Sequence, residues 1–209
     1  MLSARAMAGT FYINSAMVGS SGYYMTWAQL RDLHAAGNEI GGHTLGHTNL
    51  TTVSTTTART EICSDRTNLI NQGFPVTSFA YPEAAVNPTV EQIVRDCGYR
   101  SARGVGDLFG PWCPCPHAET VPPRNAYNLR TIDGLTTTTT LADLQNSVVN
   151  AENSGGGWVP LVFHGICDNA CTGENSMTTA TFTAFLDWLK PRTANGTAVR
   201  TVAQVMTGT

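Results

Sequence analysis

The chain has 209 residues, of which 42% are apolar and 13% are charged, and its formal net charge is −3. This size and apolar content fit one core, so we expect a single domain over residues 1–209. A weakly negative chain has no basic field for nucleic acid, and no apolar stretch reaches the roughly 20 residues that a membrane span needs. We therefore expect neither nucleic acid nor a membrane as a partner.

The first half of the chain predicts strands that alternate with helices. Strand-forming residues cluster at 9–14, 38–42 and 78–81. Each cluster is followed by a predicted helix. The segments at 26–37 and 87–98 begin with helix-capping residues and end at a glycine, and the segment at 55–72 has helical periodicity and is stopped by Gly73. Helices between successive strands are typical of parallel βαβ units, in which functional side chains gather at the carboxyl ends of the strands.

The second half continues this pattern after a long loop. Five prolines in residues 104–125 predict an ordered loop. Further strands are expected at 99–103, 129–132 and 158–163, and further helices at 141–150, around 182–189 and after Val199. The apolar strand at 158–163 leads directly to His164.

The six cysteines form an even set, which favours disulfides and an oxidising compartment. We therefore expect a secreted, extracellular protein, with buried thiols as the alternative. The pairing is not deducible from the sequence. Only the closeness of Cys167 to Cys171 suggests a local bridge.

Three histidines lie where predicted strands end. His43 and His47 follow the strand at 38–42, and one turn of chain between them would let both imidazoles bind one divalent ion. The alternative is an incidental surface pair. His164 follows the strand at 158–163, where a parallel sheet presents catalytic groups, with a buried core histidine as its alternative.

Four segments in this order resemble the polysaccharide deacetylases of carbohydrate esterase family four. They are TFYIN at 10–14, GNEIGGHTLGH at 37–47, FAYP at 79–82 and LVFH at 161–164. The resemblance implies an α/β fold, namely a distorted (β/α)7-type barrel. It also implies that the protein uses a divalent metal ion, with zinc as the first candidate. It implies that His43 and His47 are metal ligands and that His164 is the general acid. Tyr81 falls in the motif whose backbone amide helps to stabilise the oxyanion.

The chain departs from the family at its start. A strand with the residues Thr-Phe-Asp-Asp precedes the family's counterpart of residues 10–14, and its two aspartates act as general base and third metal ligand. This chain begins after that strand, so we expect an N-terminally truncated domain whose first strand is missing or replaced. Activity should be impaired unless Glu83, Asp107 or Asp168 substitutes. The exposed sheet edge would favour a homodimer.

Two functions therefore remain open. One is the metal-dependent removal of acetyl groups from acetylated polysaccharide or a small acetyl ester. The other is a catalytically inactive relative that binds glycans. For either function, Tyr23, Tyr24 and Trp112 on predicted loops could stack against sugar rings.

Overall fold

The computed structural model describes residues 1–109, 113–168, 173 and 175–208. Within these residues, strands β1–β7 span Thr10–Ile13, Glu39–Gly42, Ser78–Ala80, Ser101–Asp107, Leu129–Thr131, Gly165–Cys167 and Ser176–Thr178. Helices α1–α6 span Trp27–Ala35, Thr55–Asn71, Pro88–Asp96, Leu141–Asn153, Thr179–Leu189 and Val202–Thr207. None of these helices combines the length and the apolarity that a membrane crossing requires.

The chain divides into two compact units. The sheet unit comprises Met7–Gly104, Asn125–Leu129 and Arg200–Thr209. The α4–α5 unit comprises Met1–Ala6, Val105–Arg124 and Arg130–Val199. Strands β4 and β5 contribute residues to both. That the chain forms one domain stays a prediction.

A sheet of strand order β1-β2-β3-β4-β5 organises the first of these units. Strands β1 to β4 pair in parallel, so their carboxyl ends lie at one edge. The α/β class is therefore confirmed, and the described strands form this open sheet together with a separate β6–β7 pair rather than a closed barrel. Strand β1 is an edge of the sheet, and its pairing with a second copy stays a prediction.

Local capping signals position the first three helices. Thr26 and Gln29 form the predicted capping box at the start of α1, and Asn87 accepts the Val90 N–H at the start of α3. The glycines that follow the three helices all have left-handed backbone conformations, at Gly37, Gly73 and Gly98. These starts and ends agree with the sequence-based expectation.

The predicted strand at 158–163 is wrong. Trp158 forms only an isolated antiparallel bridge with Glu119, and the strand in this region is β6, which begins after His164. Pro160 has no N–H, so the segment cannot complete a ladder of hydrogen bonds. Within this loop Val162 is buried and the Phe163 ring packs against Phe182.

The core of the sheet unit is continuous and aromatic at its centre. Phe79 on β3 is fully buried, and its ring lies 5.4 Å from the Tyr81 ring and 5.1 Å from the Tyr99 ring. Aliphatic side chains from β2 and the three helices surround these rings, among them Leu30, Ile40, Ile62, Leu69 and Val94. The helices therefore bury one face each against the parallel sheet.

The described cysteines form disulfides, as predicted from the even number of cysteines in the chain. Two pairs are described, Cys63–Cys97 and Cys113–Cys115, and Cys167 is also disulfide-bonded. No free cysteine occurs among the residues described. The suggested bridge from Cys167 involves Cys171, which lies outside the described residues.

Glu119 and Arg130 form a buried ion pair in the α4–α5 unit. The Glu119 side chain is 1% exposed, and Arg130 donates to its two oxygens at 2.6 and 3.0 Å. Burial alone would raise the pKa of Glu119. The hydrogen bonds from Arg130 and from the backbone N–H groups of Thr120 and Arg124 outweigh this effect and lower the pKa to about 2.

We expect Glu119→Gln to lower the free energy of unfolding by about 2 kcal/mol at neutral pH, because charged hydrogen bonds are lost from a buried site. Since the folded pKa lies below the ordinary value of 4.5, the ionised pair stabilises the fold above pH 4.5 and loses this effect as the pH falls through about 2. In urea unfolding, the difference in unfolding free energy between wild type and variant should become smaller as the pH is lowered. Asp187→Asn, which removes an exposed pair with Arg5, is the control and should change stability little. A difference in unfolding free energy that does not depend on pH would contradict a lowered pKa of Glu119 in the folded protein.

Candidate active site

Two imidazoles meet directly after β2, at the carboxyl edge of the sheet. The ring centroids of His43 and His47 lie 4.8 Å apart with an interplanar angle of 77°. His43 is half-buried and His47 is exposed. The structure therefore brings together the two residues that the sequence predicts as metal ligands.

A backbone carbonyl orients the His43 ring. Its Nδ1 lies 2.7 Å from the carbonyl oxygen of Ala80, at the end of β3. Because a carbonyl oxygen only accepts hydrogen bonds, Nδ1 carries a proton, and in the neutral ring Nε2 is then the nitrogen that can bind a metal ion. Metal-binding histidines usually have this arrangement, in which the second ring nitrogen donates to a carbonyl or a carboxylate.

The pair fits two positions of a zinc site. Two imidazoles that bind one zinc ion at about 2.0–2.1 Å in tetrahedral geometry have ring centroids about 5 Å apart, close to the observed spacing. Over the described part of the chain, no group of three His, Cys, Asp or Glu side chains is arranged to hold a metal ion. The two histidines thus fit the metal, and the described residues do not complete its ligand set.

The candidate replacement acids are engaged elsewhere or belong to the other unit. The Glu83 carboxylate accepts a hydrogen bond from the Asn49 side chain at 2.7 Å. Asp107 and Asp168 belong to the α4–α5 unit. That one of these acids serves as the general base stays a prediction.

His164 lies in the α4–α5 unit, immediately before β6. Its side chain is exposed, unlike a buried core histidine. The neighbouring Phe163 packs against Phe182 of α5, with ring centroids 4.9 Å apart. This contact anchors the segment beside His164, whose role as general acid stays a prediction.

Tyr81 is a structural residue of the sheet unit in this conformation. Its backbone N–H donates to the Arg103 carbonyl at 3.0 Å, which extends the pairing of β3 with β4. Its side chain is 1% exposed, and its hydroxyl donates to the Tyr127 carbonyl at 2.7 Å. Burial raises the pKa of this hydroxyl. An oxyanion role for the Tyr81 amide would require it to release Arg103.

Aromatic side chains of the loop between β1 and α1 are exposed. Tyr23 is 88% exposed and Tyr24 is 36% exposed, and their rings contact each other edge to face at 5.1 Å. They are accessible for stacking on a sugar ring, which stays a prediction. Trp112 lies outside the described residues.

The sequence-based reasoning missed Asp65 on α2. This carboxylate is fully buried, and its oxygens accept the backbone N–H groups of Ser15 and His43. Burial raises its pKa to about 7, and the hydrogen bonds from Ser15 and His43 lower it in part. A signal was present in the sequence, because the residues at 58, 62, 65 and 69 form the buried stripe of α2 and Asp65 is its one acid.

The N-terminal half of the chain is similar in sequence to a known family. The family model for polysaccharide deacetylase matches residues 1–102, which include His43, His47 and Tyr81. No curated protein matches the chain. The match ends at residue 102, so it does not include His164.

Solved structures share the fold at low sequence identity. A Mycobacterium smegmatis protein provisionally described as a polysaccharide deacetylase is 14% identical, with a TM-score of 0.69 over 99% of this chain and 73% of its own. The polysaccharide deacetylase BC0361 of Bacillus cereus is 18% identical, with a TM-score of 0.55 over 68% of this chain and 42% of its own. BA3943, a CE4 family pseudoenzyme of Bacillus anthracis, is 15% identical, with a TM-score of 0.56 over 98% of this chain and 57% of its own.

This chain spans only about half of the length of several similar deacetylase structures. It covers 40% of BA0330 from Bacillus anthracis, 51% of PplD from Streptococcus pyogenes and 42% of BC0361. The likenesses to solved structures show the fold. Residues 1–102, just under half of the chain, are similar in sequence to polysaccharide deacetylases through the family model that they match.

Proposed function

We propose that the protein is a metal-dependent hydrolase that removes N- or O-linked acetyl groups from polysaccharide and accepts small acetyl esters. The observation that carries this proposal is the His43–His47 pair, with ring centroids 4.8 Å apart, inside the segment that matches the family. The hydrogen bond from His43 Nδ1 to Ala80 is the second supporting observation, because it is the outer contact that a metal-binding imidazole needs.

Each residue has a distinct task in this proposal. His43 and His47 hold the divalent ion, foremost zinc. When bound, such an ion is a Lewis acid that polarises the acetyl carbonyl and lowers the pKa of water. The Ala80 carbonyl keeps the His43 ring in one tautomer and orientation. The exposed imidazole of His164 donates a proton to the departing sugar oxygen or nitrogen.

A catalytically inactive, glycan-binding relative is the second candidate. The observation that favours it is that no described acid joins the two histidines to complete a set of three ligands. A general base typically contributes about 10²–10⁴-fold in rate, so low activity is expected unless an acid of the chain serves in this role. The fold likeness to a protein described as a pseudoenzyme is compatible with this candidate.

Acetate release distinguishes the two functions. The protein would be stripped of metal with a chelator, reloaded with zinc, and incubated with acetylated xylan, acetylated chitin oligosaccharides and a small acetyl ester. Release of acetate that requires zinc supports the hydrolase. Binding of an oligosaccharide with no acetate release under any metal condition contradicts the hydrolase and supports the inactive relative.

We also propose that the protein works outside the cytoplasm. Disulfides persist in oxidising compartments and are rare in reducing ones, and three described cysteines outside the Cys63–Cys97 pair are also oxidised. An acetylated polysaccharide of a cell surface or of the surroundings is the substrate class that fits this location.

A further inference from the structure

Asp65 links the ends of two strands at the candidate site. Its Oδ1 accepts the Ser15 N–H at 2.9 Å, just after β1, and its Oδ2 accepts the His43 N–H at 3.0 Å, just after β2. The side chain is 0% exposed. Both carboxylate oxygens are therefore used to hold the backbone from which the first candidate ligand projects.

Helix α2 makes further contacts with the same loop. The Glu61 carbonyl accepts the Leu45 N–H at 3.2 Å, and the Glu61 carboxylate accepts the Gly46 N–H at 3.2 Å. One face of α2 thus binds three backbone amides in the segment from His43 to His47. This segment is called the histidine loop below.

The histidine loop has a conformation that needs such support. Thr44 and His47 have left-handed backbone angles, with φ of 69° and 63°. Residues other than glycine rarely adopt this region, and each such residue costs about 1–3 kcal/mol unless its surroundings hold it. Thr44 is also β-branched and fully buried, so its strain is offset by tertiary contacts.

The backbone is closely packed beside Asp65 at Gly42, the residue that precedes the histidine loop. A Cβ atom added to Gly42 would overlap the Tyr99 hydroxyl and come within 2.9 Å of Asp65 Oδ2. The chain can pass between these groups only because residue 42 is a glycine. The backbone that leads into the histidine loop therefore packs closely against the Asp65 carboxylate and the Tyr99 hydroxyl.

We infer that Asp65 is a positioning residue for the His43–His47 pair: it fixes the start of the histidine loop so that both imidazoles can bind one divalent cation. The part of this inference that concerns a metal ion rests on the proposed function. The part that concerns the position of the loop rests on the hydrogen bonds of Asp65. Asp65 does not touch the cation. It acts through the backbone of His43.

The role requires a carboxylate with two acceptors. In Asp65→Asn, one oxygen can still accept an N–H, but the amide nitrogen would face the second N–H with its own donor. A buried donor would then lack a partner, so the loop is expected to move or to open. This is why an almost isosteric substitution should have a large effect.

Glu39→Gln provides a matched control. Glu39 is a buried carboxylate at the opposite end of β2, and its oxygens accept from Ser78, Thr10 and the Ala203 N–H. The substitution should lower stability, as Asp65→Asn does, but it does not touch the histidine loop. A purely structural role for Asp65 would make the two variants behave alike.

Zinc titration of the folded variants, with nitrogen NMR of the imidazoles and amide hydrogen exchange, tests the inference. Asp65→Asn should raise the zinc Kd by about 10- to 100-fold, as substitutions beside a metal ligand do, whereas Glu39→Gln should leave the Kd unchanged. Without metal, Asp65→Asn should also perturb the His43 Nδ1 signal and speed amide exchange at Ser15 and His43. An equal Kd for wild type and Asp65→Asn, with unchanged exchange, would overturn the inference.

Two further outcomes are also decisive. If the wild type binds no zinc, the proposed function fails, and the metal-free NMR and exchange measurements decide whether Asp65 positions the loop. If Asp65→Asn does not fold, exchange in the wild type decides: protection of the Ser15 and His43 amides as strong as that of the core supports the role, and rapid exchange at these amides overturns it.

Discussion

Replacing His43 with alanine will weaken zinc binding by more than about 100-fold, which exceeds the usual effect of removing a residue beside a ligand. The reason is that the described residues offer only a pair of imidazoles, 4.8 Å apart, at this position. Loss of one ligand from a pair leaves a single imidazole, which should bind zinc no more tightly than any other exposed histidine does. Isothermal titration with zinc, at a pH where the imidazoles are neutral, measures the effect.

His34→Ala is the matched control for this prediction. His34 on α1 also has its Nδ1 near a backbone carbonyl, that of Asn38 at 3.1 Å, and its ring packs on Phe74. This control removes an imidazole of similar local bonding that lies outside the proposed pair. Zinc affinity should remain at the wild-type value. Equal affinities for wild type and His43→Ala would contradict a metal site at His43 and His47.

Removal of the Cys63–Cys97 disulfide will lower the free energy of unfolding by about 3–4 kcal/mol. The bond joins α2 to the residue that follows α3, across 34 positions of the sequence. A cross-link of this span restricts the unfolded chain, and the entropic model gives a stabilisation of this size. Chemical denaturation of a Cys63→Ala, Cys97→Ala double variant measures the loss. The result matters for the site because Asp65 lies on the same helix, two residues from Cys63.

A second double variant, Cys113→Ser with Cys115→Ser, is the comparison. Its disulfide spans only two positions, so it removes much less entropy from the unfolded chain. Its loss should be clearly smaller than that of the Cys63, Cys97 variant. Equal losses, or no loss on removing Cys63–Cys97, would contradict the argument from loop length.

Local signals in the sequence were sufficient for many of the elements. Thr26 with Gln29 and Asn87 with Pro88 mark helix starts because each satisfies N–H groups within its own first turn. Gly37 marks a helix end because a left-handed residue is needed there. The strands in the first half were recognisable for the same reason, since each run of strand-forming residues lies between clear breaks.

The same local reasoning failed where nonlocal pairing decides the structure. Residues 158–163 have the composition of a buried strand. However, Pro160 has no N–H to donate to a neighbouring strand, and the backbone of Trp158 forms an isolated bridge with Glu119. The histidine pair was predictable because His43 and His47 are four residues apart and follow a recognisable strand. Its support by α2 was not, because Asp65 bonds to amides 50 and 22 positions away.

The sequence by itself determined the α/β class, most helix boundaries, the disulfide-forming cysteines and the presence of two candidate ligands after a strand, since each depends on interactions within a few residues or on composition. The tertiary structure alone decided which carbonyl orients His43, which buried acid holds the histidine loop, and that the Tyr81 amide pairs with Arg103. These contacts join residues distant in sequence, so they exist only once the strands have taken their order and register in the sheet.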